Sequence, residues 1–154
     1  MASLLAVDVG VRTGLACFGD DARLRWYRSH NLGDAARLRR AIPGLLDAEG
    51  DLTRVVLEGG GPLAEAWARE ATRRGLEVTR VSAELWRPLF LLPRELLDSA
   101  SAKAAAGRVA RRVIAHHGGA RPTSLRHDAA EAVLIGLWGL LHAGWLKEVR
   151  EVLR

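Results

Sequence analysis

The pattern of apolar and polar positions changes period along the chain, and each change marks an element. Ser3 to Asp8 (SLLAVD) is a short apolar run of the kind a buried strand shows, closed by an acid. Gly10 and Gly14 bracket a turn, and Thr13 to Phe18 (TGLACF) predicts a second strand, hairpin-linked to the first. Ala22 to Ser29 (ARLRWYRS) alternates apolar and basic residues, which predicts a third strand with one solvated face. Asp34 suits an N-cap for a helix from about Ala35 to Glu49, with Leu38, Ala41, Ile42 and Leu45 near helical spacing. Pro43 falls inside that run, as a kink or a division, and Gly50 ends it. Leu52 to Glu58 (LTRVVLE) predicts a buried strand that also ends on an acid. After Gly59, Gly60 and Gly61, Pro62 suits the first turn of a helix running to Arg74, and Glu77 to Val81 predicts a fifth strand. Ser82 to Ser101 has two prolines and an apolar LFLL run and no readable period. Helices are then predicted over Ala102 to His117, His127 to His142 and Trp145 to Leu153, the last amphipathic.

Three meander strands followed by helix, strand, helix and strand predict an α/β fold, a mixed five-stranded sheet flanked by helices. At 154 residues and 49% hydrophobic character the expectation is a single domain, 1–154, with enough apolar side chains for a core and too many for a disordered chain. One cysteine excludes a disulfide framework and a cysteine-based zinc site. The apolar stretch from Ala129 to Trp145 is interrupted by Glu131 and His142, and the N-terminus lacks a basic leader region, so the expectation is a cytoplasmic protein with no membrane partner. Lys+Arg 23 against Asp+Glu 18 leaves a net charge of +5, which points to an anionic partner, most simply nucleic acid. Of the basic residues 21 are arginine, a side chain suited to two-point phosphate contact; a GC-rich genome would produce the same bias.

Four acids stand at element ends. Asp8 closes the first strand, Glu58 closes the fourth, and Asp128 and Glu131 open the long helix. If the first and fourth strands are parallel neighbours, Asp8 and Glu58 lie side by side, while a spacing of three puts Asp128 and Glu131 on one helix face. Carboxylates gathered in this way repel unless a cation joins them, and hard divalent ions such as Mg²⁺ bind through carboxylate oxygens. Two such ions ~4 Å apart can activate a water and stabilise a leaving oxygen in phosphodiester hydrolysis. Taken singly, Asp8 also suits a turn, Glu58 a solvated strand end, Asp128 a helix cap and Glu131 a first-turn partner of the helix dipole. His127 precedes the pair and is either an exposed helix-start histidine or an accessory group for water or phosphate.

The helix from Ala102 to His117 carries Lys103, Arg108, Arg111 and Arg112. Lys103, Gly107 and Arg111 share one stripe, where the glycine would let a DNA backbone approach; Ala106, Val109, Ala110 and Val113 would pack inward. The stripe reads equally as a solvated charged face. Ser99 and Ser101 add hydroxyl donors for phosphate oxygens, and Arg87 beside a core Trp86 adds another cation.

The motifs LLAVDVGVRTGLACF, RVVLEGGG and RHDAAEAVLIGLWGL, with SASAKAAAGRVARRVI before the last, resemble those of the RuvC family of Holliday junction resolvases, within the RNase H-like superfamily. The resemblance covers nearly the whole chain. It implies an RNase H-like fold and a Mg²⁺-dependent endodeoxyribonuclease, Mn²⁺ substituting, with two ions held by Asp8, Glu58, Asp128 and Glu131. It further implies branched DNA as substrate, chiefly four-way junctions, and a homodimer, because paired cuts in a two-fold junction need two active sites. Arg87, Ser101, Lys103, Arg108, Arg111 and Arg112 become candidate DNA contacts and His127 an accessory residue. Glu131 departs from the family's commoner aspartate by one methylene. Three other readings compete: a related RNase H-like nuclease acting on RNA or flap DNA, a catalytically inactive branched-DNA-binding protein, and, through the D-x-G of the first strand, an actin-like phosphate loop. The last needs two such domains, more than 154 residues supply.

Overall fold

The computed structural model describes residues 1–153, side chains at 150 and 151 aside. Five strands, β1 (Ser3–Asp8), β2 (Arg12–Gly19), β3 (Leu24–Asn31), β4 (Leu52–Glu58) and β5 (Glu77–Val81), form one mixed sheet in the order β3-β2-β1-β4-β5. β1–β2 and β2–β3 pair antiparallel; β1–β4 and β4–β5 pair parallel. Helices α1 (Ala35–Leu46) and α2 (Gly61–Arg73) cover one face, and α3 (Ala83–Phe90), α4 (Ser99–His116) and α5 (His127–Ala143) the other. This is the α/β architecture expected, a five-stranded mixed sheet in an RNase H-like arrangement.

Strand alternation sorts the core into two halves. Leu5 and Val7 of β1, Leu15 and Cys17 of β2, and Val55 and Leu57 of β4 face α1 and α2, where they meet Leu38, Ile42 and Trp67. Leu4, Ala6, Ala16, Phe18 and Val56 face the other way, onto α4 and α5. β1 and β4 are central, and Leu4 to Val7 and Val55 to Leu57 are apolar and buried because both faces are covered there. β3 is an edge strand, and its alternating basic residues leave Arg28 exposed while Leu24 is buried.

α5 is the central helix, and Ala129 to Leu140 is buried all round. It lies directly on the sheet because it carries glycine where the sheet comes nearest. A Cβ on Gly136 would stand 2.4 Å from the Phe18 ring, and one on Gly139 would stand 2.9 Å from Val56.

Element ends differ from the sequence-based expectation at few points. α1 keeps Pro43 without dividing, since the proline is three residues from its end and removes a single helical hydrogen bond. Ser82–Ser101 resolves into α3, a 3₁₀ turn over Pro93–Leu96 and the start of α4, which Asp98 caps by accepting from the Ser101 N–H. The terminal helix expected over Trp145 to Leu153 is replaced by an irregular segment and a short α6 (Arg150–Leu153). Gly144, in the left-handed region at φ 77°, ends α5, and the Trp145 and Leu146 N–H groups both turn back to the Leu140 carbonyl. That reversal lays Trp145, Leu146 and Val149 against the core, with the Arg54 guanidinium over the Trp145 ring at 5.6 Å.

Candidate functional site

Three features of the sheet bring the four acids together. In the parallel register of β1 and β4, Asp8 is the direct partner of Glu58. Asp8 continues the face of Leu4 and Ala6, and Glu58 that of Val56, so both carboxylates point toward α5. Across β1 and β2, Asp8 is paired with Gly14, and the first turn of α5 rests on that glycine: a Cβ there would lie 1.9 Å from the Asp128 carbonyl oxygen. The empty position at Gly14 therefore lets the helix start come down beside Asp8.

The charge state of the cluster follows from this crowding. Asp8 is pushed up to about 8, first by burial, then by the negative charge of Glu58 and Glu131 and, further off, Asp128. Glu58 is also raised, by its own burial above all, while its hydrogen bond with Asp8 works the other way. Without a bound cation, burial and the neighbouring carboxylates therefore favour the protonated form of Asp8 over the charged one.

The two acids of α5 hold different partners. Glu131 is 4% exposed, and one of its oxygens meets Arg87 Nη2 at 2.9 Å and His127 Nε2 at 3.2 Å. Asp128 Oδ2 accepts a 2.6 Å hydrogen bond from the Ser29 hydroxyl. Arg87 lies over the Trp86 ring at 5.5 Å, and its Nε–H is buried with no hydrogen-bond partner among the described residues.

Carboxylate oxygens are the donor chemistry that Mg²⁺ or Mn²⁺ takes, and Asp8, Glu58, Asp128 and Glu131 are near enough for their charges to act on Asp8. The residues fit such ions on that chemistry. Among the described residues no three acidic, histidine or cysteine side chains already close on one point, because Arg87 and His127 draw Glu131 aside and Ser29 holds Asp128.

The candidate DNA contacts divide by position. Arg87 and Lys103 line one cleft of about 310 Å³ together with Ser99, next to Glu131. Ser101 is occupied at the helix cap, its hydroxyl 2.9 Å from Asp98. Arg108 pairs with Glu95 at 2.9 Å, and Arg112 donates to the Leu153 carbonyl at 3.2 Å; both line a separate cleft with Arg94. Arg111 is exposed on α4, near enough to Tyr27 of the edge strand for its charge to act on that hydroxyl. Trp67 and Trp86 are core residues with no exposed surface.

Ser29 and Gly14 belong to the site and were not singled out as such from sequence. Ser29 was legible in principle: the β3 alternation puts it on the face of Tyr27, the α5 side. Gly14 carried no signal beyond a turn. The chain matches no protein-family model, and no curated protein matches it.

Proposed function

We propose that the chain is a divalent-metal-dependent endonuclease of the RuvC type that cuts branched DNA, chiefly four-way junctions. The observation that carries this reading is the meeting of Asp8 and Glu58, register partners on adjacent parallel strands, with Asp128 and Glu131 from the start of α5. Asp8, Glu58, Asp128 and Glu131 would hold two Mg²⁺ ions, which would supply an activated water and charge stabilisation for the leaving oxygen.

The chain's own groups do the rest. Arg87, paired with Glu131 and lining the cleft beside Lys103, is placed to take a phosphate oxygen through its guanidinium. Lys103 adds a second positive charge in the same cleft. His127 orients Glu131 through its 3.2 Å contact. Ser29 holds Asp128 in one rotamer. Phosphate placement and branch shape, more than base contacts, would then set specificity. Paired cuts at a two-fold junction call for a homodimer. No described helix is long and apolar enough to cross a membrane.

The test is cleavage of a synthetic four-way junction with Mg²⁺ or Mn²⁺, alongside flap DNA and an RNA–DNA hybrid. Wild type should cut the junction, and Asp8→Asn and Glu58→Gln should not. Equal cutting by wild type and Asp8→Asn removes the catalytic assignment. Junction binding without cutting in either metal replaces it with a binding protein, and preference for flap or RNA moves the substrate.

A further inference from the structure

A second cleft, of about 560 Å³, opens on the other side of the acid cluster from Arg87 and Lys103. Arg12, Ser29, Asn31, Arg126, His127 and Asp128 line it. Arg12 begins β2, Asn31 is its register partner at the end of β3, and Arg126 immediately precedes α5, so three elements meet at its walls. The Arg12 and Arg126 side chains are exposed, and neither has a carboxylate partner among the described residues. Arg25, Arg54, Arg73, Arg74, Arg80 and Arg108 by contrast each pair with an acid, so what marks Arg12 and Arg126 is their place in one cleft beside Asp128.

The two acids of α5 relate to the clefts differently, and His127, which lines the second, also meets Glu131 at 3.2 Å. Glu131 is in contact with Arg87, which lines the first. Asp128 itself lines the second, and so does its hydrogen-bond donor Ser29. Three residues of helix separate them by about 4.5 Å along the axis. Cations thus flank the acids in both clefts, Arg87 and Lys103 (beside Asp98) in one and Arg12 and Arg126 in the other, a layout that suits an extended anion better than a compact one.

We propose that the Arg12–Arg126 cleft is a phosphodiester-binding subsite of the same active site, gripping the DNA strand on the far side of the scissile phosphate from Arg87 and Lys103. This rests on the nuclease reading and adds the strand's path: in along Lys103 and Arg87, over Asp8 and Glu58, and out between Arg12 and Arg126. Two unpaired guanidiniums provide charge-assisted contacts to successive phosphate oxygens, and the Asn31 side-chain amide lies at the same wall.

The experiment is equilibrium binding of a fluorescein-labelled four-way junction, followed by anisotropy across a salt series in Mg²⁺. An Asp8→Asn background prevents cutting. Arg12→Ala and Arg126→Ala should each weaken binding about tenfold and lower the slope of log affinity against log salt by about 0.9. Both side chains are exposed, and a thermal melt of each variant checks that the fold is unchanged. If both variants bind as the background does, with the same salt slope, while Arg87→Ala and Lys103→Ala still weaken binding, the subsite is refuted and the nuclease reading stands. If the background protein binds no DNA at all, both fall together.

Discussion

Replacing Gly14 with alanine tests the geometry on which the site depends. The new methyl would stand 1.9 Å from the Asp128 carbonyl oxygen, 2.4 Å from its carbon and 3.2 Å from the Ala129 nitrogen. Ordinary contact needs about 1.5 Å more, and both sides are backbone, so no flexible side chain can yield. Overpacking of a core costs about 1–3 kcal/mol, and a backbone–backbone clash belongs at the upper end. For a chain of this size about 3 kcal/mol lowers the melting temperature by roughly 6–12 °C. If the start of α5 moves instead, Asp128 and Glu131 move with it, and a displacement of about 1 Å in a catalytic constellation costs about 10²-fold in rate. Gly107→Ala is the control. Nothing lies within 4 Å of its Cβ position in the middle of α4, so alanine there should stabilise by about 0.5–1 kcal/mol. Paired thermal melts and junction-cleavage rates decide the matter. A Gly14→Ala protein that melts within about 2 °C of wild type and cuts at its rate would show that the helix does not rest on β2 at this point.

Three further outcomes follow from the cluster and the core. Asp8 holds its proton up to about pH 8 in the fold but only to its ordinary value of 3.8 in the unfolded chain. Over that interval the native state binds more protons, so metal-free stability should fall as pH rises from about 4 to about 8, and Asp8→Asn should flatten the fall in urea denaturation series. Arg87→Ala removes the guanidinium from a Glu131 carboxylate that is 5% exposed and should cost about 1–3 kcal/mol without divalent ions; Mn²⁺ should recover much of that loss, and an unchanged urea midpoint would contradict the pairing. Cys17 is buried and its thiol is pushed up to about 12, chiefly by burial, so the native protein should resist alkylation at pH 8 and react only once unfolded.

Much of this molecule is local and could be read from the chain. β1 and β4 run as their apolar runs and closing acids indicate, because a central strand covered on both faces leaves a near-continuous apolar signal, and the edge strand β5 keeps its expected bounds with Glu77 and Arg80 exposed. The same alternation places Asp8 and Glu58 on the α5 face once the sheet is known, and the spacing of three places Asp128 and Glu131 together on the helix. The Lys103–Gly107–Arg111 stripe and the buried alanine–valine face of α4 are equally local.

Other features depend on contacts between distant segments. Trp145 to Val149 has the composition of an amphipathic helix, yet it forms an irregular segment, because the left-handed turn at Gly144 reverses the chain and the core takes its apolar side chains directly. Arg108 and Lys103 look alike on one helix, but Glu95 claims the first and the acid cleft borders the second. Gly14 reads as a turn residue until α5 is laid across β2, and Ser29, Arg12 and Arg126 acquire meaning only when β2, β3 and the start of α5 meet. Periodicity reports which face of an element is apolar, since burial of that face is a property of neighbouring residues along one segment. Which two faces touch, and which charge then stands opposite which, is settled by the close packing of segments far apart in the chain, and no single segment carries that information.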